Sequence, residues 1–112
     1  MIQKLNSGDY SELYESITFF RKVLSLEHNP PIQDVIDCGV VPRMVQLLSG
    51  EFVAPPENRE RIIFEAAWAL TNIASGQQSH TGVVVDCGAV PILIELLSHS
   101  NNEIREQVLL VS

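Results

Sequence analysis

The chain is 112 residues long, 46% hydrophobic, and carries a formal charge of −7, which allows one domain with a sizeable core and is too apolar for a disordered segment. The acid excess argues against nucleic acid, whose phosphates need Lys and Arg, and suits a basic partner or solubility alone. No apolar run approaches the ~20 residues of a membrane span, and the start, Met1 to Lys4, lacks the features of a secretion signal, so no membrane is expected and nothing directs the chain out of the cytosol.

Residues 1–5 read as the tail of a helix. Asp9, with Glu12 at the third helical position, is a capping-box signature for a long helix from Tyr10 to about Leu24. Glu27 to Pro31 form the turn that follows. A short helix, Ile32 to Asp37, stops at Gly39, which suits the left-handed turn that ends helices. Pro42 fits the first turn of the next helix, which runs to about Ser49 with Val41, Val45 and Leu48 at helical spacing. A loop, Gly50 to Asn58, holds Pro55-Pro56. The longest helix starts near Glu57 and includes Phe64 to Gly76. A connection, Gly76 to His80, leads to a short helix Thr81 to Asp86, a helix Pro91 to Ser98, and a last helix after Ser100-Asn101-Asn102. No stretch alternates with period two, so the class is all-α.

Little here suggests chemistry. Cys38 and Cys87 lack the spacing of a zinc site or a disulfide framework and read as small buried core residues. His28, His80 and His99 fall in presumed loops without an i, i+4 partner. Asp34 with Asp37 and Glu57 with Glu60 read as solvated helix faces. Without a nucleophile–base pair, a phosphate loop or a carboxylate cluster with a metal partner, an enzyme lacks its parts. No cofactor and no metal is called for.

The informative stretch is FEAAWALTNIASG, Phe64 to Gly76. At about 100° per residue from Phe64, Ile62, Ile63, Ala66, Ala67, Leu70, Ile73 and Ala74 share an arc of roughly 160° to 300°. Phe64, Trp68, Asn72 and Ser75 form a separate stripe between roughly 0° and 80°. Trp and Asn are weak helix formers. An indole turned away from the core gives a flat wall for the methylenes of a long side chain, and a carboxamide one turn on bonds both a backbone N–H and a C=O. Such a pair either grips an extended peptide or packs on a neighbouring helix and bridges locally.

Internal repetition points further. The run from Asp37 to Ser49, DCGVVPRMVQLLS, returns from Asp86 to Ser98 as DCGAVPILIELLS, a period of 49 residues, close to the ~40–47 of helical solenoid repeats. GVVPRMVQLL and GAVPILIELL, followed by EAAWALTNIASG (Glu65 to Gly76), resemble the armadillo repeats of the importin-α (karyopherin-α) family of nuclear import adaptors. The likeness runs from Phe20-Arg21-Lys22 and Asn29-Pro30-Pro31-Ile32 onward. It implies a right-handed superhelical solenoid: 1–30 the end of a first repeat, 31–76 a complete repeat, 77–112 an incomplete one, truncated at both ends. It also implies that third helices line a concave groove where WxxxN rungs hold basic nuclear localisation signal peptides extended. Trp68 and Asn72 match that rung, and Ser75, Gly76 and Thr81 match the positions that receive a critical lysine. Residence in cytoplasm and nucleus follows from the same likeness.

The departures set expectations too. Aligned on the repeat, Trp68 becomes Thr18 in the first long helix and Leu110 in the last, and Asn72 becomes Lys22. The family's basic N-terminal segment, which binds importin-β, has no counterpart, so importin-β is not expected as a partner. One rung is not a ladder, because each further rung adds by multivalency. Peptide binding is therefore expected at about 10⁻⁴ M or poorer, about −5 kcal/mol. Leu109, Leu110 and Val111 close the sequence as apolar residues without a polar cap, which implies a fragment or a chain that hides its ends by self-association. A generic armadillo interaction scaffold, with partners bound elsewhere, is the competing expectation.

Overall fold

The computed structural model describes residues 2–26, 30–50, 52–99 and 101–111, with side chains for all of these except 2 and 109–111. Among them lie eight helices: α1 (Ile2–Leu5), α2 (Tyr10–Leu24), α3 (Ile32–Asp37), α4 (Val41–Leu48), α5 (Pro56–Ala74), α6 (Gln78–Asp86), α7 (Ala89–Leu96) and α8 (Asn102–Val111). The described residues contain no strand. The expected turn at 27–31 is described only from Pro30, and His28 and the side chains of Leu109, Leu110 and Val111 lie outside the described residues.

Local chemistry explains where the boundaries differ from expectation. Asp9 does cap α2, its carboxylate accepting the Ser11 N–H at 2.9 Å. The reciprocal half of the box is replaced: the Asp9 N–H goes to Ser7 Oγ at 3.0 Å, and Glu12 accepts from the Ser7 hydroxyl at 3.4 Å. Gly39 is left-handed (φ 75°), as a helix stop requires, and Gly88 (φ 82°) does the same one repeat later. Helix α5 begins at Pro56, with Pro55 extended at ψ 151°, because a residue before proline is pushed out of the helical region while proline itself suits the first turn. Helix α7 begins at Ala89, ahead of Pro91, since none of the first four helical N–H groups has an intrahelical partner to lose.

Two expectations fail outright. Cys38 is exposed and Cys87 only half-buried, because each is the C-cap of a short helix and not a core position. Burial, then the nearby Asp86 carboxylate, pushes the Cys87 thiol pKa up, which leaves less of the reactive thiolate. His80 does not lie in a loop: it is buried in α6, which starts at Gln78 instead of Thr81. Its Nδ1 accepts the Gln77 N–H at 3.1 Å, leaving Nε2–H to donate to Gln33 Oε1 of α3 at 3.1 Å.

The core is continuous and α5 runs through its middle, packed against α2, α4, α6 and α8. Leu13, Ile17, Met44, Leu47 and Ile104 are fully buried around it, as is its own Leu70. Ala66, Ala67 and Ala69 are also at 0% exposure, and their small side chains let neighbouring helices approach closely. The buried face of α5 is wider than the apolar arc implies, since it takes in Ala69 and, unexpectedly, Glu65. Arg43 of α4 ties down the end of α1, donating to Leu5 O at 2.8 Å and Ser7 O at 3.4 Å, carbonyls that a helix end leaves without partners.

On α2, Thr18 Oγ1 is buried with no hydrogen-bond partner. Removing an unpaired hydroxyl while keeping the side chain's shape recovers its desolvation cost. Thr18→Val is expected to raise stability by about 1 kcal/mol, read as a higher urea midpoint with unchanged slope.

Candidate functional site

The stripe on α5 lies outside the main core, as its spacing implies. Trp68 and Asn72 are half-buried one turn apart, and Phe64 meets Trp68 edge to face, ring centres 6.0 Å apart at 65°. Ser75 caps the C-terminus of α5 and is exposed, its hydroxyl donating to Asn72 O at 2.9 Å. Thr81, exposed at the start of α6, donates to Ala74 O at 2.6 Å and so closes the α5–α6 turn. Gly76 lies between them with no room for a side chain: a Cβ there would come within 2.5 Å of His80 Nδ1 and 2.9 Å of Ile32 Cδ1. The five expected residues thus follow one another along the end of α5 and into α6.

Three further residues, missed in the sequence, complete the site. Arg21 of α2 lays its guanidinium 4.0 Å from the Trp68 ring centre. The same group forks onto Glu65, Nε to Oε2 at 2.6 Å and Nη2 to Oε1 at 3.1 Å. Both side chains are well covered, 17% and 9% exposed. The hydrogen bonds to Glu65 raise the Arg21 pKa, against burial, which lowers it; a bidentate pair of this kind is among the stronger polar links. Ser25, one turn beyond Arg21, accepts from Asn72 Nδ2 at 2.9 Å. Of the two alternatives, the packing and local bridging are what the structure shows: Arg21 and Phe64 cover part of the Trp68 ring and Ser25 bridges to Asn72, while Trp68 stays half-exposed. The available signal was spacing, since Arg21 and Ser25 stand at the same i, i+4 separation as Trp68 and Asn72.

Beside Phe64 the long helices α2, α5 and α8 border a hollow of about 360 Å³, walled by Tyr14, Phe64, Asn101, Arg61 and the four glutamates Glu57, Glu60, Glu65 and Glu103. Glu60 is half-buried and not simply solvated, for it accepts from Asn101 Nδ2 at 3.2 Å. With four carboxylates to the one Arg61 guanidinium, these walls and their aromatic flanks favour cations over anions. No group of three or more His, Cys, Asp or Glu among the described residues is arranged to hold a metal ion. No single helix among them is long and apolar enough to cross a membrane, although α6 and α7 together, bent by 82°, reach that composition.

Long helices side by side, α5 and α8 each preceded by two short ones and α5 presenting an indole–carboxamide rung, define a helical-repeat scaffold for protein interaction. The chain belongs to the armadillo/β-catenin-like repeat family, whose model matches residues 28–75 and 77–110. It is 50% identical over 109 residues to importin subunit alpha-1a of Oryza sativa subsp. japonica and 48% identical over 109 residues to importin subunit alpha-2 of Arabidopsis thaliana. Those matches take in 97% of this chain but only 20% and 19% of the relatives, so it spans about a fifth of their length. Among solved structures, a designed armadillo repeat protein in complex with the peptide (KR)4 superposes with a TM-score of 0.83 at 31% identity, covering 98% of this chain and 43% of that one. The fold is an all-α armadillo solenoid.

Proposed function

We propose that the face shared by α2, α5 and α8 binds extended basic peptides of the nuclear localisation signal kind, as a segment of an importin-α-type adaptor and not as an enzyme. The observation that carries this is Trp68, part-exposed on α5 with Asn72 one turn on and an acidic hollow alongside. The designed relative complexed with alternating Lys and Arg supports the same ligand chemistry on the same fold. In this assignment the Trp68 ring packs against a lysine stem, and Asn72 uses its carbonyl oxygen to accept a peptide N–H. Ser75, Gly76 and Thr81 receive a basic head group at the α5–α6 turn, where the Thr81 hydroxyl, having donated to Ala74, keeps acceptor capacity. Cytoplasm and nucleus are the compartments such an adaptor would occupy, and no partner of the importin-β kind is proposed. Fluorescence titration with a KKKRK-type peptide should give a dissociation constant of about 10⁻⁴ M or weaker. Trp68→Ala should abolish binding while leaving helicity nearly intact. Binding that survives this change would remove the site assignment and leave a generic scaffold.

A second mode has its own observation. Val85, Val90, Ile94 and Leu97 are exposed on α6 and α7 around an apolar hollow of about 460 Å³. The equivalents of Val90, Ile94 and Leu97 one repeat earlier, Val41, Val45 and Leu48, are covered to 5% exposure or less. An apolar face of this sort is usually covered, and a second copy of the chain is the proposed cover. Light scattering at micromolar concentration is expected to give a mass near twice that of one chain, falling to one with Ile94→Asp. A wild-type monomer at high concentration would count against it.

A further inference from the structure

Arg21 does to Trp68 what a peptide's basic side chain would do. A cation stacked on an indole and forked onto a nearly buried carboxylate is a filled recognition site, and here the filler belongs to the chain itself. The match continues one turn on, where Ser25 takes up the Asn72 amide N–H that would otherwise be free for a ligand carbonyl. The Ser25 hydroxyl in turn donates to Arg21 O at 2.7 Å, so both contacts are anchored on one turn of α2. We propose that Arg21 is a resident competitor at this rung: it holds the ring face and the Glu65 carboxylate against incoming lysine or arginine, and so limits the affinity of the groove for basic peptides. The proposal rests on the groove reading above and adds a residue that determines its specificity.

Arg21→Gln tests it: the neutral amide removes the cation but can donate to Glu65. Because the nearly buried carboxylate loses its counter-charge, binding is measured well below the variant's own unfolding midpoint, with far-UV circular dichroism confirming that it is folded. The variant should bind a KKKRK-type peptide at least ~10-fold more tightly than wild type once ring and carboxylate are released. Arg59→Gln, the same change of charge on an exposed residue at the start of α5, should alter binding less than twofold. Arg21→Lys, which keeps the charge without the fork, should fall between wild type and Arg21→Gln. Where wild type binds the peptide, equal or weaker binding by Arg21→Gln overturns the proposal, while Trp68-dependent binding by wild type would leave the groove reading standing. A second readout needs no peptide. Trp68 is the only tryptophan in the sequence, so methylguanidinium titrated into Arg21→Gln should change its emission saturably, with no such change in wild type. A saturable change without peptide binding by either chain supports the resident-cation assignment and removes the groove reading; no saturable change overturns the proposal.

Discussion

Glu65→Ala is expected to lower stability by about 3 kcal/mol, measured by urea unfolding followed by far-UV circular dichroism. Glu65 is 7% exposed overall and its fork with Arg21 joins α5 to α2. Removing one member of a nearly buried pair leaves the other charge desolvated, at about 3–5 kcal/mol. The lower end applies because Arg21 is 17% exposed and reaches water with little rearrangement. The pair itself adds less than this loss suggests, since two apolar residues of similar volume avoid the same desolvation. Arg21→Met combined with Glu65→Leu should therefore recover most of the loss. A double variant as unstable as Glu65→Ala would show that the α2–α5 contact depends on the ions themselves.

Gly76→Val should cost about 2–3 kcal/mol and weaken the turn that carries Ser75 and Thr81. The reason is space, not backbone conformation, for Gly76 is absent from the glycines at positive φ. Even a methyl group would meet His80 Nδ1 and Ile32 Cδ1 inside 3 Å. The His80 ring is fixed by Gln77 and Gln33, so it cannot retreat without losing two hydrogen bonds, and a β-branched side chain cannot turn both of its methyl groups away. Differential scanning calorimetry should show the lowered midpoint, and Gly76→Ala should fall between wild type and Gly76→Val. A Gly76→Val protein as stable as wild type would mean that α6 shifts freely against α5.

Helices were legible where the signal was local. The helix-stopping Gly39, the cap Asp9 and the periodicity of Val41, Val45 and Leu48 each act within one or two turns, and the structure follows them. Boundaries shifted where a side chain a few residues away supplied a bond, as His80 does for the start of α6. The position of Trp68 was legible because its angle on α5 contradicts the apolar arc. Its occupant was not, because Arg21 and Glu65 are 44 residues apart and look like ordinary surface charges in the sequence. The cysteines misled for a related reason: as a small apolar residue each suggests a core, but each stands just past a short helix, where Cys38 is exposed and Cys87 packs only against the edge of the core.

Polar links among the described residues join each long helix to the next one along: Arg21 and Ser25 to α5, Thr71 to Gln107 of α8 at 2.9 Å, Glu60 to Asn101 at the start of α8. Among the described residues, α5 is in this way gripped on both of its flanks. A segment held from two sides opens only when both let go, so the stretch bearing the indole is expected to resist local melting. A recognition element placed there stays shaped while its surroundings breathe.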